Sequence, residues 1–102
     1  MYYCYILYSL KSKKLYFGYT KHLKKRYTEH NQGLSKSTKP FIPWQLVWYC
    51  GFLIKRKAKL FEKYLKTGSG KAFTYKRLTP EALKKDSSGG NLGVPKLYYA
   101  IP

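Results

Sequence analysis

Apolar and aromatic side chains crowd the first positions of the chain. Tyr2 to Tyr8 is rich in aromatic and β-branched residues and predicts a strand. Ser9-Leu10-Lys11-Ser12-Lys13 is a polar break, and Lys14 to Tyr19 resumes the strand character, so the two segments make a hairpin. In its simplest antiparallel register Tyr5 lies opposite Tyr16 on one face. Trp44 to Phe52 alternates with the period of a third strand. Trp44, Leu46, Trp48, Cys50 and Phe52 share one face, and Gln45, Val47, Tyr49 and Gly51 share the other.

Between these strands the period changes. Thr20 suits the N-cap of a helix running to about His30. Leu23, Arg26, Tyr27 and His30 follow the i, i+3, i+4, i+7 spacing of a buried stripe. Lys24, Lys25 and Glu29 point elsewhere, with Glu29 on the side away from Arg26 and His30. Asn31 to Pro43 reads as a loop punctuated by Gly33, Pro40 and Pro43. Lys55 to Lys66 is helical in pattern and ends at Gly68-Ser69-Gly70. Its inner face is Ala58, Phe61 and Leu65, with Leu60 and Tyr64 beside them and Glu62 at the edge. A short helix follows over Lys71 to Arg77, and Thr79-Pro80-Glu81 opens another turn. Beyond it, Ser87-Ser88-Gly89-Gly90 predicts flexibility, and Leu97 to Ile101 either docks back or stays loose. No internal repeat is visible.

Composition sharpens this outline. The 102 residues suit one domain with a modest core, and a 44% hydrophobic, 19% aromatic composition excludes a disordered basic tail. No apolar run approaches the roughly 18 residues of a membrane span. Met1-Tyr2-Tyr3-Cys4 lacks the basic opening of a signal peptide, so a cytoplasmic location is expected. Cys4 and Cys50 belong to no zinc or disulfide pattern and read as reduced core thiols.

Charge points to the partner. Lys and Arg total 21 against 4 acids, a formal charge of +17. Such an excess repels itself in the compact state unless a polyanion is the working partner. A membrane binder usually concentrates its cations on one amphipathic helix. Here they run from Lys11 through Lys96, interleaved with aromatics, which suits nucleic acid and its releasable counterions.

The scarcity of acids narrows the chemistry. A two-metal nuclease with several carboxylates has too few candidates here. Glu81 and Asp86 lie in the looser C-terminal part, which leaves Glu62, an acid within a basic helix. It reads either as the partner of Lys66 or Lys59 or as a functional ligand. Arg26 is the second oddity, since a guanidinium on an apolar stripe is costly to desolvate unless it meets a carboxylate, a carbonyl or a phosphate.

Tyr3-Cys4-Tyr5, Tyr16-Phe17-Gly18, Arg26, His30 and Glu62, taken in that order, resemble the GIY-YIG nuclease superfamily. Glu29-His30-Asn31-Gln32-Gly33, Ser37-Thr38-Lys39, Pro43-Trp44 and Glu62-Lys63-Tyr64-Leu65-Lys66 look like its small stand-alone bacterial members. The resemblance spans residues 1–78 as a nuclease-like domain, with 79–102 as a C-terminal extension. Gly and Ile of the first motif are replaced by Tyr3 and Cys4, and Tyr19 stands where some relatives carry a lysine.

The resemblance implies an α+β fold, a three-stranded antiparallel sheet flanked by helices, and a DNA endonuclease dependent on one Mg²⁺ or Mn²⁺. It places catalytic roles on Tyr5, Tyr16, Arg26, His30 and Glu62. Glu62 would be the protein's single carboxylate on the ion, the other positions being water and phosphate oxygens. Arg26 would neutralise charge on the scissile phosphate. Tyr5 or Tyr16 would orient or deprotonate the attacking water, and His30 would relay a proton, touch phosphate or serve structure. Gly18 is expected to let strand and helix approach closely. Specificity for a branch, flap or lesion in repair or recombination would follow from shape, since no DNA-reading domain is apparent. No small-molecule cofactor and no membrane partner is expected, and a larger protein partner is unspecified. Two competing readings use the same charge: a non-catalytic module stacking unpaired bases on tyrosines, and a basic ribosomal protein.

Overall fold

A computed structural model describes residues 1–74. The expected turn at Thr79-Pro80-Glu81 and the segments after it lie outside the described residues. Three strands, β1 (Tyr2–Ser9), β2 (Leu15–Thr20) and β3 (Trp44–Phe52), form one antiparallel sheet in the order β2-β1-β3. Helix α1 (Leu23–Asn31) covers one face, and α2 (Lys55–Leu65) covers the other. This is the α+β architecture that the sequence led us to expect.

The central strand β1 is apolar on both faces because both are covered. Tyr5 and Leu7 point toward α1 and pack with Leu23, Tyr27, Trp44 and Leu46. Cys4 and Ile6 point toward α2 and pack with Phe17, Val47 and Leu65. Burying the Tyr5, Ile6 and Leu7 side chains of this strand stabilises the fold by roughly 1.5–3 kcal/mol each.

The hairpin register differs from the simplest one by two residues. Tyr5 faces Gly18, and Tyr16 faces Leu7. The connection is longer than two residues: Ser9 donates its N–H to the Lys14 carbonyl (2.8 Å), and Lys13 turns the chain at φ 60°. A two-residue shift preserves the face, so both phenols still project toward α1. Gly18 decides the register. A Cβ there would lie 2.5 Å from Tyr5 Oη and 3.1 Å from the Tyr16 ring, so only glycine leaves room for the Tyr5 ring to cross β2. The glycine therefore admits a side chain from the neighbouring strand, rather than a closer helix.

The clean alternation expected of β3 also breaks. Ile6 pairs with Trp48 and Leu7 with Leu46, which leaves Val47 as the extra residue of a bulge. Trp44 and Leu46 accordingly face α1, whereas Val47, Trp48 and Phe52 face α2, where Phe61 meets both rings at 5.9 and 5.7 Å. Cys4 and Cys50 are paired positions on adjacent strands, and both are free thiols. Cys4 is buried as expected, but Cys50 is only half-buried.

The helix ends depart from the sequence pattern as well. α1 starts at Leu23 after His22, and Thr20 accepts the His22 N–H (3.1 Å) instead of capping the helix. Gly68-Ser69-Gly70 does not simply end α2; it opens α3 (Gly68–Phe73), earlier than the expected Lys71 start. Thr67 caps α3 by accepting the Gly70 N–H (3.0 Å) and donates to the Tyr64 carbonyl (2.7 Å). Any side chain at Gly70 would overlap the Tyr64 carbonyl, so this glycine allows α3 to fold back on α2. Leu60 lies exposed, outside the inner face of α2.

Candidate active site

The α1 face holds a directed chain of hydrogen bonds. Tyr5 Oη lies 2.9 Å from His30 Nε2, and His30 Nδ1 lies 2.8 Å from Thr38 Oγ1. Thr38 in turn donates to the Ser35 carbonyl (3.4 Å). With its proton committed there, Thr38 accepts from Nδ1–H, which leaves Nε2 to accept the Tyr5 hydroxyl proton. Tyr5, His30 and Thr38 are all buried.

The surrounding cage keeps this chain in place. Asn31 accepts the Trp44 N–H (2.6 Å) and donates to the Trp44 carbonyl (2.9 Å), so its amide stands in for a neighbouring strand. Trp44 Nε1 donates to the Thr38 carbonyl (3.0 Å), and Tyr27 donates to the Trp44 carbonyl (3.2 Å). Tyr16 completes the wall, its ring 5.1 Å from His30, 6.0 Å from Trp44 and 6.3 Å from Tyr5. Tyr16 is half-buried where Tyr5 is sealed, a difference that decides which phenol meets solvent.

Arg26 sits at the mouth of this cage, about one-third exposed. Nη1 donates to Glu29 Oε1 (3.2 Å), and Nη2 donates to Ser35 Oγ (3.3 Å). Glu29 is therefore beside Arg26 and not across the helix, because residues three apart in a helix are neighbours. Burial works against the guanidinium's charge, yet Glu29 and the two phenols hold its proton more tightly than usual. Burial, with Tyr16 second, pushes the Tyr5 phenol far above its ordinary value near 10, and Arg26 only partly counters this. Tyr5 is thus a neutral donor at physiological pH. Burial, assisted by the Arg26 charge, lowers His30 to about 4, with Glu29 acting weakly in the opposite sense.

That shift has a measurable consequence. Folded His30 resists a proton that the unfolded chain takes up near 6.5. Its contribution to stability is complete above that value and is lost as pH falls toward 4. Between pH 6.5 and 5, before carboxylates titrate, stability should fall with a slope approaching about 1.4 kcal/mol per pH unit. Urea midpoints across this window check it, and a flat profile would mean that water reaches the ring.

Glu62, expected to converge with Arg26 and the two phenols in one pocket, does not join this group. It lies on α2, across the sheet, buried beside Cys4, whose thiol is pushed up to about 12 by burial first and by the Glu62 carboxylate second. Glu62 Oε2 pairs with Lys66 Nζ at 2.9 Å. The side chains are 12% and 55% exposed, so the carboxylate is fixed while its partner can swing into water. Among the described residues no group of three or more His, Cys, Asp and Glu could hold a metal ion. The donor set fits only an ion that keeps most of its water and touches protein through one carboxylate, as Mg²⁺ does.

Thr38, Ser35 and Asn31 were not singled out as functional by pattern. Thr38 and Asn31 do fall within the short segments Ser37-Thr38-Lys39 and Glu29 to Gly33, a signal of position without a role. A scan against family models matches residues 1–76 to the GIY-YIG catalytic domain. The chain belongs to the GIY-YIG family. No curated protein and no solved structure matches it. Membership makes the chain a nuclease in general terms, of a family that is generally metal-dependent and acts on DNA. The cage around Tyr5 and His30 is therefore the interior of a GIY-YIG domain, with Tyr16 and Arg26 at its opening.

Proposed function

We infer that this GIY-YIG domain is a divalent-metal-dependent endonuclease that hydrolyses DNA phosphodiesters with preference for distorted or branched structure. The observation that carries this reading is the pairing of a sealed Tyr5–His30–Thr38 chain with an accessible Tyr16 and Arg26 in front of it. Arg26 grips a phosphate oxygen with the fork now resting on Glu29 and Ser35. Tyr16, oriented by its contacts with three rings, positions the attacking water. Tyr5 and His30 are positioning residues: they hold the Tyr16 wall rigid and keep a neutral hydrogen-bond path behind it.

Glu62 is the residue that would hold a Mg²⁺ or Mn²⁺, with water and phosphate filling the remaining positions. Such an ion supplies Lewis-acid stabilisation of charge on the phosphate oxygens. β2 is one of the two edge strands, and α2 packs against it and β1. A DNA strand laid along that edge is open to Tyr16 from one face and to α2 from the other.

Affinity comes mainly from phosphate neutralisation, so non-specific binding near 10⁻⁴ to 10⁻⁶ M is expected at physiological salt, on the order of other basic domains. The test is nicking of supercoiled plasmid and branched duplex with Mg²⁺, Mn²⁺ or EDTA. Cutting with either metal and none with EDTA is expected, without a unique recognition sequence. Binding with steep salt dependence and no products in any metal would make the chain a binding module instead. Within the same assay Tyr16→Phe should lower the rate about a hundredfold, the low end for a proton-handling group. Tyr5→Phe should instead cost about 1–3 kcal/mol of stability by orphaning His30 Nε2, with the smaller loss of rate. The reverse order would move the water to Tyr5.

A further inference from the structure

A second concave surface lies at the other end of α1. Met1, Tyr3, Lys21, His22, Lys24 and Lys25 line a groove of about 340 Å³. Gly51 on β3 makes room for the Met1 and Tyr3 side chains of this groove: a Cβ there would collide with the Met1 sulfur and lie 3.3 Å from the Tyr3 ring. Tyr3 is further held edge-on against Tyr49, with centroids 6.1 Å apart, and Lys21 Nζ is held 5.8 Å from the centre of the Tyr2 ring. One wall is therefore apolar and aromatic, and the other is cationic.

The cations gather at the positive end of a helix. Lys24 and Lys25 occupy the first turn of α1, which contains no acid, and the preceding His22 supplies no side-chain cap. Lysines at the positive end of a helix repel its dipole, so the arrangement favours an anion in front of it. Arg26 follows Lys25 directly in the same helix, and His22 to Arg26 spans only about 6 Å of helix axis. The groove thus opens one turn from the mouth of the candidate active site.

We propose that this groove binds an unpaired nucleotide of the DNA strand that flanks the scissile phosphate, its phosphates on Lys21, Lys24 and Lys25 and its base or sugar against Tyr3 and Met1. The proposal rests on the nuclease reading for its substrate, but binding can be measured without cleavage. A cation wall alone would accept any polyanion; the aromatic wall selects one with a flat apolar face, because stacking on a ring is available to every base. An unpaired flank also supplies the preference for branches and flaps, since a paired base cannot enter.

The test uses the full chain in EDTA and the fluorescence anisotropy of a labelled twelve-nucleotide thymidine strand. Lys21→Ala/Lys24→Ala/Lys25→Ala should weaken binding about tenfold or more and lower the salt slope by roughly 2, the value for three single-strand phosphates. A comparison variant, Lys55→Ala/Lys57→Ala/Lys59→Ala on α2, removes the same charge from outside the groove and should lose at least threefold less affinity than the groove variant. Tyr3→Phe should bind as the parent does, and Tyr3→Ala should lose about fivefold or more, the low end for a stacked base. A thermal melt of Tyr3→Ala separates that loss from unfolding. Equal losses in the two triple variants would overturn the groove, leaving net charge as the cause. Polyglutamate competing as well as unlabelled strand would overturn the nucleotide assignment. A parent chain that cuts nothing while the α1 triple variant loses binding would sink the nuclease reading alone.

Discussion

Replacing Glu62 with alanine is expected to reduce metal-dependent cleavage to background, a loss of about a thousandfold or more. An ion on a phosphate contributes several kcal/mol of transition-state stabilisation, and about 4 kcal/mol corresponds to three powers of ten. The other carboxylate among the described residues, Glu29, is tied to Arg26, so it offers no substitute ligand. DNA binding should hold or tighten slightly, because the substitution removes a negative charge from a chain already at +17. The structure also supplies the control. If Glu62 serves only its ion pair, Lys66→Ala must reproduce the defect, yet a pair with a half-exposed lysine is worth at most about 1 kcal/mol. Plasmid nicking and filter binding of both variants decide it. Metal-dependent cutting retained by Glu62→Ala would remove the ion from this position and leave the acid a structural role on the far face of the sheet.

Arg26→Ala and Arg26→Lys should both lower the turnover rate, by roughly a hundred- to a thousandfold, as loss of one oriented charge at the reacting phosphate does. Lysine rescues poorly because it cannot reproduce the planar fork that reaches Glu29 and Ser35 together. Stability should move by less than about 1 kcal/mol, since the ion pair with Glu29 is partly solvated on both sides. The contrast between a large kinetic and a small thermodynamic effect is what identifies a substrate contact. A second readout lies in His30. Its protonation is opposed by the Arg26 charge, so the Arg26→Ala variant should show a higher His30 pKa by nuclear magnetic resonance titration. An unchanged turnover rate with an unchanged His30 would mean that Arg26 merely braces the loop at Ser35.

Much of this molecule was legible from the order of residues. The three strands follow from runs of aromatic and β-branched side chains, and the helices from their 3.6-residue spacing, because burial against a single core enforces those periods. The motif residues were equally visible, but the expected convergence of all five was not met: Tyr5, Tyr16, Arg26 and His30 gather on the α1 face, whereas Glu62 lies on α2. Two of the departures share a cause. The two-residue register shift and the opening of α3 at Gly68 are decided by which atoms can approach a neighbouring strand or helix, and Gly18 and Gly70 settle them by contacts with Tyr5 and with the Tyr64 carbonyl. The Val47 bulge shows only in the pairing of β3 with β1.

Depth is the other quantity that linear spacing leaves open. Tyr5 and Tyr16 share a motif pattern and a face, yet one is sealed and the other half-buried, so only one phenol is presented to water. Glu29 and Glu62 are both acids on basic helices, yet one closes on Arg26 while the other sits beside Cys4 on the opposite face of the sheet. Residue identity and periodicity set the family, the elements and the chemical repertoire of this protein. Packing alone chose the accessible phenol, the neutral histidine and the side of the sheet that carries each charge, since solvation and neighbouring charge depend on distance in space rather than along the chain.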